Sequence, residues 1–214
     1  MIQSVDTILS LVLLSVLFSF GSSRLPVLIR VVAFQGVIVS LVPLFTNHDI
    51  TTESVIFSLV TMSIRGIIIP LSIHLVLKRT AISREVEPII GFNASLLAGL
   101  VLIISAAFVS NRLEIPSISS SALLMPAAIT IFVSGMFLLI ARRNAIAMVL
   151  GYIVMENGIY LVGTTFSTRT HHIVEFGILL DVLAGVMVMA IMLQNIGQKF
   201  DNVDTVHLRK LKDR

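Results

Sequence analysis

Long apolar runs separated by short polar stretches follow one another along the whole chain. The runs are about 20 residues long and lack strict polar–apolar alternation, which favours membrane-spanning helices over barrel strands. At about 1.5 Å per residue such a run crosses a hydrocarbon core of about 30 Å, although the first run is short. Seven spans are predicted, at about Val5–Phe20, Pro26–Phe45, Ser54–Leu77, Ile89–Val109, Ala122–Ile140, Ala145–Phe166 and Ile173–Ile196. The predicted fold class is an all-α integral membrane protein.

The first span has a second interpretation as a signal peptide, because Gly21-Ser22-Ser23 imitates a cleavage site. Signal peptides begin with a positively charged segment. Here no lysine or arginine precedes the apolar run, whereas Asp6 does. A spanning helix is therefore the favoured interpretation.

Lysine and arginine are distributed unequally over the predicted loops. With the amino terminus outside, only Arg112 and Arg169 fall on the outer side. The inner side receives Arg24, Lys78, Arg79, Arg84, Arg142, Arg143, Lys199, Arg209, Lys210, Lys212 and Arg214, and Arg30 lies close enough to reach it. Cytoplasmic loops carry the excess of positive residues, so the amino terminus is predicted outside and the carboxyl terminus in the cytoplasm.

The composition agrees with this fold class and excludes several functions. Of 214 residues, 56% are hydrophobic and 13% are charged, and the mean hydropathy is +1.01. There is no cysteine, which excludes disulfides and cysteine-ligated iron–sulfur clusters. The five histidines lack the paired helical spacing of a haem or metal site, so no metal site is predicted. The net charge of +3 has no nucleic-acid-binding module beside it, and no nucleic-acid partner is expected.

Three predicted spans carry an ionisable residue far from both of their ends. Glu156 lies eleven residues into the sixth span, Asp181 eight into the seventh and Arg65 eleven into the third. At about 1.5 Å per residue, each is about 12–17 Å from its nearest predicted boundary. Gln35 lies at a similar depth in the second span. The sequence therefore predicts a polar layer across the middle of the membrane.

An isolated charge at the centre of a spanning helix costs about 2.5–3.5 kcal/mol on insertion scales, so these groups must face one another, a partner or water. An ion pair of Arg65 with Glu156 or Asp181 would offset part of this cost. The sequence does not decide between these two partners and a residue of another chain. Tyr152 and Tyr160 lie about one turn on either side of Glu156 and are predicted to donate hydrogen bonds along the same stripe.

Intramembrane charge is by default a sign of a functional site. A buried carboxylate can bind and release a proton, whereas Arg65 stays protonated and is predicted to act as a counter-charge. The competing interpretation is a buried ion pair that only fixes helix register. Pro70 lacks a backbone donor and frees a carbonyl about one turn earlier, near Arg65 and Gly66. It predicts a kink that opens a hydrated gap, with simple packing as the alternative.

The last three spans, from "ARRNAIAMVLGYIVMENG" through "GILLDVLAGVMVMAIMLQNI", resemble the K subunit of respiratory complex I and the C subunit of Mrp-type cation/proton antiporters. The resemblance rests on Arg142-Arg143-Asn144, Gly151, Met155-Glu156-Asn157 and Asp181. With four more spans at the amino terminus, the whole chain resembles component E of the hydrogenase-4 and formate hydrogenlyase group. When the complex I motif is aligned with this chain on Met155 and Asn157, its carboxylate falls near Ile153, one turn from Glu156 and on a similar helix face. A comparable shift of about one turn separates Asp181 from the other complex I glutamate. The resemblance therefore carries over the helix face and the role of these carboxylates, and not their identical positions.

The resemblance implies a division of the chain into a four-helix segment at 1–110, a three-helix segment at 111–196 and a cytoplasmic basic tail at 197–214. It implies a non-catalytic membrane-arm subunit of a prokaryotic cell membrane, placed among antiporter-like subunits and surrounded by lipid. Glu156, Asp181 and Arg65 would serve proton or sodium translocation, supported by Asn157 and the other polar residues named above. The chain would bind no cofactor itself, and the nickel–iron centre and iron–sulfur clusters would belong to partner subunits.

Two alternatives remain. One is an Mrp-type antiporter component, against which the usual short three-helix form of that subunit argues. The other is a structural adaptor that packs antiporter-like subunits together and conducts no ion. A free-standing secondary transporter is disfavoured because no internal repeat is evident, and a stand-alone enzyme because no nucleophile–base pair or cofactor motif is found.

Overall fold

A computed structural model describes residues 2–46, 52–79, 90–113, 121–142 and 144–166, together with residues 185 and 187. The described elements are all helical. They are α1 (Ile2–Gly21), α2 (Leu25–Thr46), α3 (Thr52–Ser63), a π-helical turn (Ile64–Ile68), α4 (Ile69–Arg79), α5 (Phe92–Arg112), α6 (Leu124–Ala141) and α7 (Ala145–Phe166). The helical fold class is thus confirmed over these ranges.

Five helices are long and apolar enough to cross a membrane, and a sixth is shorter. The five are α2, the continuous rod formed by α3, the π-helical turn and α4, and then α5, α6 and α7; the apolar part of α1, Val5–Gly21, is the shorter one. These six coincide with the first six predicted spans. The seventh, Ile173–Ile196, lies outside the described residues, except that residues 185 and 187 are helical.

Hydroxyl side chains inside these helices bond to backbone carbonyls of their own helix. Ser19 donates to Ser15, Ser40 to Gly36 and Thr130 to Pro126, each across one turn. Such bonds satisfy polar groups that have no water in an apolar medium. At the start of α7, the side chain of Asn144 accepts a hydrogen bond from the Ile146 amide and caps the helix.

The helices α6 and α7 form the most extensive pair in the described part of the chain. They run in opposite directions, because Gly135 of α6 lies against Met155 and Gly158 of α7 lies against Phe132. A methyl group at either glycine would overlap the backbone of the facing helix. Small residues are what allow membrane helices to approach this closely.

Around this pair, α1 and α2 complete the core while α5 lies at the edge. The interior is filled by aliphatic side chains of α1, α2, α6 and α7, including Leu9, Val12, Leu28, Val39, Ile131, Leu138 and Leu150. The α5 helix is the least enclosed of the candidate spans and α7 the most. Functional side chains on α7 are therefore shielded from the surroundings by other helices.

Candidate functional site

Arg65 lies on the π-helical turn in the middle of the third span. In this turn the Ile69 amide bonds to the Ile64 carbonyl, one residue farther back than in an α-helix. Pro70 follows directly and has no backbone donor of its own. Gly36 of α2 makes room for the turn, since a methyl group there would lie 2.9 Å from the Arg65 carbonyl oxygen. The turn holds Arg65 against α2 with its side chain 1% exposed.

Glu156 and Asn157 lie near the middle of α7 and are also buried, at 1% and 0% exposure. Glu156 follows Met155, whose backbone packs against Gly135 of α6, and Gly158 lets the next turn of α7 approach Phe132. The close α6–α7 contact therefore holds this part of α7 against α6, where Glu156 is buried among the described helices.

Arg65 joins both side chains across the core. Its Nη2 donates to Glu156 Oε1 at 2.7 Å, and its Nη1 donates to Asn157 Oδ1 at 3.0 Å. The guanidinium also lies over the Tyr160 ring, 4.7 Å from its centroid. Charge-assisted hydrogen bonds of this length are the strong ones, and a cation over an aromatic face adds a further attraction. Among the residues that the structure describes, Glu156 is the acidic partner of Arg65.

The other predicted residues fall around this pair, with one exception. Gln35 of α2 is fully buried beside Gly36, so it lies at the level of Arg65, and neither its amide oxygen nor its nitrogen has a hydrogen-bond partner among the described residues. Tyr152 is buried one turn before Glu156. Asp181 lies outside the described residues. A mid-helix polar layer on α2, the π-helical turn and α7 is thus present.

The sequence left two interpretations of Pro70 open, a kink and simple packing, and gave no prediction of the π-helical turn. The third span is helical through Pro70, and the irregular hydrogen bonding lies in the turn just before it. Gly66 beside Arg65, four residues before a proline, was the signal in the sequence. It packs against Val37 of α2.

The burial of a second arginine was also missed, since Arg142 was a charge of the inner loops and part of the Arg142-Arg143-Asn144 motif in the sequence. Its Nη2 donates to the Phe20 carbonyl at 3.0 Å, at the end of α1, and its guanidinium lies 5.2 Å from the centroid of the Phe92 ring. A cation at the carboxyl end of a helix complements the helix dipole. Burial lowers the pKa of Arg142, although arginine remains protonated at neutral pH.

The chemistry open to the Arg65–Glu156 pair follows from its two side chains. The Glu156 carboxylate can accept a proton or oppose a cation, while Arg65 supplies a fixed positive charge next to it. Within the described ranges no three histidine, aspartate or glutamate side chains converge as a metal site requires. The arrangement is that of a buried ion pair in a polar layer enclosed by apolar helices.

Comparison with known proteins supports a relationship to respiratory and hydrogenase membrane subunits. Residues 123–213 match the family model of NADH-ubiquinone/plastoquinone oxidoreductase chain 4L, a range that includes Glu156 and Asp181. The chain is 30% identical over 118 residues to hydrogenase-4 component E of Escherichia coli K12 and of Shigella flexneri, covering 55% of this chain and 54% of each relative. It thus spans about half the length of these relatives.

A match over nearly the whole chain is found with an uncharacterized protein of Mycobacterium tuberculosis, which is 27% identical over 208 residues, 95% of this chain and 93% of that protein. No solved structure matches. The similarity to hydrogenase-4 component E and to chain 4L agrees with the resemblance read from the motifs of the last three spans.

Proposed function

We propose that this protein is a non-catalytic membrane-arm subunit of a complex-I-related assembly of the hydrogenase-4 or formate hydrogenlyase type. The observation that carries the proposal is the buried pair of Arg65 and Glu156 at the middle of two spans, in a chain similar to hydrogenase-4 component E and to chain 4L. Expensive intramembrane charge is retained chiefly along ion pathways.

In this proposal Glu156 exchanges a proton or a sodium ion, and Arg65 holds the carboxylate in place and balances its charge. Asn157 and Tyr160 position the guanidinium, as their contacts with it support. Gln35 and Tyr152 extend the polar layer, and Asp181 continues the route in the seventh span.

The redox chemistry belongs to other subunits in this proposal. The nickel–iron centre and the iron–sulfur clusters lie in partner chains, and antiporter-like membrane subunits flank this one and continue the ion route. The chain spans the plasma membrane of a prokaryote seven times, with four helices in residues 1–110 and three in residues 111–196. Its amino terminus is outside, and its basic tail at 197–214 is in the cytoplasm. The Mrp-type alternative predicts instead that antiporter subunits accompany the chain without hydrogenase chains.

A second candidate function is that of a structural adaptor. It is favoured by one observation, namely that Arg65 finds its partner Glu156 within the same chain. A self-contained ion pair can fix the register of helices without conducting anything. Both candidates predict the same neighbours and differ only in whether the carboxylate takes part in ion movement.

Glu156→Gln separates the two functions. The amide keeps an oxygen that accepts the Arg65 bond but cannot balance the Arg65 charge, so the amount of assembled complex is measured beside ion uptake. Ion uptake by membrane vesicles, measured during hydrogen-linked turnover, is expected to fall to background in Glu156→Gln. Asp6→Asn is the control. Asp6 lies near the start of α1, far from the Arg65–Glu156 pair, and its carboxylate accepts a hydrogen bond from Ser121. Unchanged ion uptake in Glu156→Gln would leave only the adaptor role.

Membership of the assembly is tested by purifying the native complex under mild conditions and identifying the proteins that accompany this chain. Large hydrogenase chains together with antiporter-like subunits are the expected result. Antiporter subunits alone would point to the Mrp-type alternative, and the absence of both would contradict the proposal.

A further inference from the structure

A groove follows the outer surface of α1 and α2 near the turn that joins them. It has a volume of about 350 Å³ and is lined by Leu11, Leu14, Ser15, Phe18, Val27, Arg30, Val31 and Phe34. A second cavity of about 330 Å³ shares Leu14, Phe18 and Val27 with it and reaches Gly21, Ser22 and Leu96 of α5. The two cavities adjoin and form one groove that ends at the α1–α2 turn.

The length of this groove matches one leaflet of a bilayer. Leu11 and Gly21 are ten residues apart on α1, which corresponds to about 15 Å of helix. The hydrocarbon core of a membrane is about 30 Å thick, so each leaflet contributes about half of that. The walls are almost entirely apolar, and their large side chains, such as Phe18 and Phe34, are exposed.

Arg30 is the one charged residue in the groove wall. It is exposed, and no hydrogen bond, ion pair or ring contact engages its side chain within the part of the chain that the structure describes. It lies five residues after Leu25, the first residue of α2. Side chains of a helix lean toward its amino terminus, and for Arg30 this is the side of the α1–α2 turn. Arg24 is exposed at this same turn.

A long basic side chain near the end of a membrane helix extends to the interface, where anionic head groups are available as counter-charges. Basic residues between membrane helices near the cytoplasmic surface bind the head groups of anionic lipids, and arginine binds phosphate through two parallel hydrogen bonds. The apolar groove beneath the two arginines is of the size that holds a small molecule.

We propose that this groove binds an anionic phospholipid of the leaflet that contains the α1–α2 turn. One acyl chain lies along the groove between Phe18 and Phe34, and the phosphate is held by Arg30 and Arg24. The proposal goes beyond the function proposed above and does not depend on Glu156, which lies on α7 and does not line the groove. The competing occupant is an acidic side chain of a neighbouring subunit.

The test uses the purified native assembly in lipid nanodiscs of phosphatidylcholine with a minor fraction of phosphatidylglycerol. After extraction with mild detergent, native mass spectrometry counts the phosphatidylglycerol molecules that remain bound. Arg30→Gln is expected to weaken the retention of one such molecule about fivefold, the factor for a single arginine at an anionic surface. Arg112→Gln is the matched control, because Arg112 is exposed at the end of α5 and lines neither cavity.

Val27→Trp tests the acyl-chain site with both arginines intact. Val27 lines both cavities and is exposed, so a larger side chain there fills the groove without entering the core. It is expected to reduce retention as Arg30→Gln does. Equal retention in the unaltered protein, Arg30→Gln and Val27→Trp would overturn the proposal. So would a photoreactive group at Val31 that links, in the native assembly, to a neighbouring protein and to no lipid.

Discussion

At the scale of single residues, the site depends on how two opposite charges share a dry interior. Each alone would carry a desolvation cost of several kcal/mol, by order of magnitude. Together, Arg65 and Glu156 cancel their net charge, and Asn157 and the Tyr160 ring take up more of the guanidinium. Protonation of Glu156 removes its negative charge and leaves the positive charge of Arg65 unbalanced. The pair is therefore a place where proton binding changes the interactions of a neighbouring helix.

A double-mutant cycle measures this mutual dependence. Arg65→Gln leaves Glu156 without its counter-charge, and Glu156→Leu leaves Arg65 without its own, so each is expected to lower the free energy of unfolding by about 3–5 kcal/mol. The double variant buries no net charge and is expected to be more stable than either single variant. Thermal unfolding in detergent gives the comparison. Additive losses in the double variant would mean that the two side chains are not energetically coupled.

Arg142 is expected to matter for stability alone. Arg142→Gln loses the hydrogen bond to the Phe20 carbonyl and the contact with the Phe92 ring. The expected loss is about 1–3 kcal/mol in the free energy of unfolding, the usual effect of breaking a buried hydrogen bond to a charged group. The exposed variant Arg112→Gln is expected to stay within about 0.5 kcal/mol of the unaltered protein. If Arg142→Gln is as neutral as Arg112→Gln, the proposed cap of α1 contributes nothing.

At the scale of elements, helix positions could be predicted from the sequence because long apolar runs have one way to satisfy their backbone, which is to be helical. The depth of Arg65, Glu156 and Gln35 followed from counting residues within each run. Their pairing did not follow, because residues 91 positions apart meet only through the packing of whole helices. The π-helical turn also escaped, since it arises where Gly36 of α2 receives the Arg65 backbone.

Gly36→Ala tests whether this contact holds the turn. A methyl group at Gly36 would lie 2.9 Å from the Arg65 carbonyl oxygen and 3.0 Å from its Cβ, so one helix must shift. Overpacking of this kind is expected to destabilise the protein by about 1–3 kcal/mol. Gly91→Ala is the control, because nothing lies within 4 Å of a methyl group there. Equal melting temperatures for the two variants would show that the helices accommodate the methyl group at position 36 without loss of stability.

At the scale of the whole molecule, the proposed orientation puts the α1–α2 turn and the ends of α4 and α6 in the cytoplasm. The geometry is consistent with this, because Arg142 after α6 reaches the end of α1 and the start of α5. These ends therefore share one side of the molecule. The positive residues near them, Arg24 and Arg142 among them, are those expected on the inner side.

The chain has no cysteine of its own, so single cysteines report the orientation without background. Ser23→Cys, in the exposed α1–α2 turn, is expected to react with a membrane-impermeant maleimide only in inside-out vesicles. Leu113→Cys, exposed after α5, is expected to react only from the outside of intact cells. The opposite pattern would mean that the orientation is inverted. Labelling of both positions from one side would mean that the number of spans between them is not three.

An ion route through this protein requires a carboxylate held inside the membrane and away from lipid. The most direct measurement is an experimental density map of the native assembly in a lipid nanodisc, at a resolution that separates side chains from lipid. The expected result is Glu156 at hydrogen-bond distance from Arg65, about midway between the two head-group layers, with no acyl chain against it. Glu156 in contact with lipid tails, or at the level of the head groups, would contradict an ion route through this carboxylate.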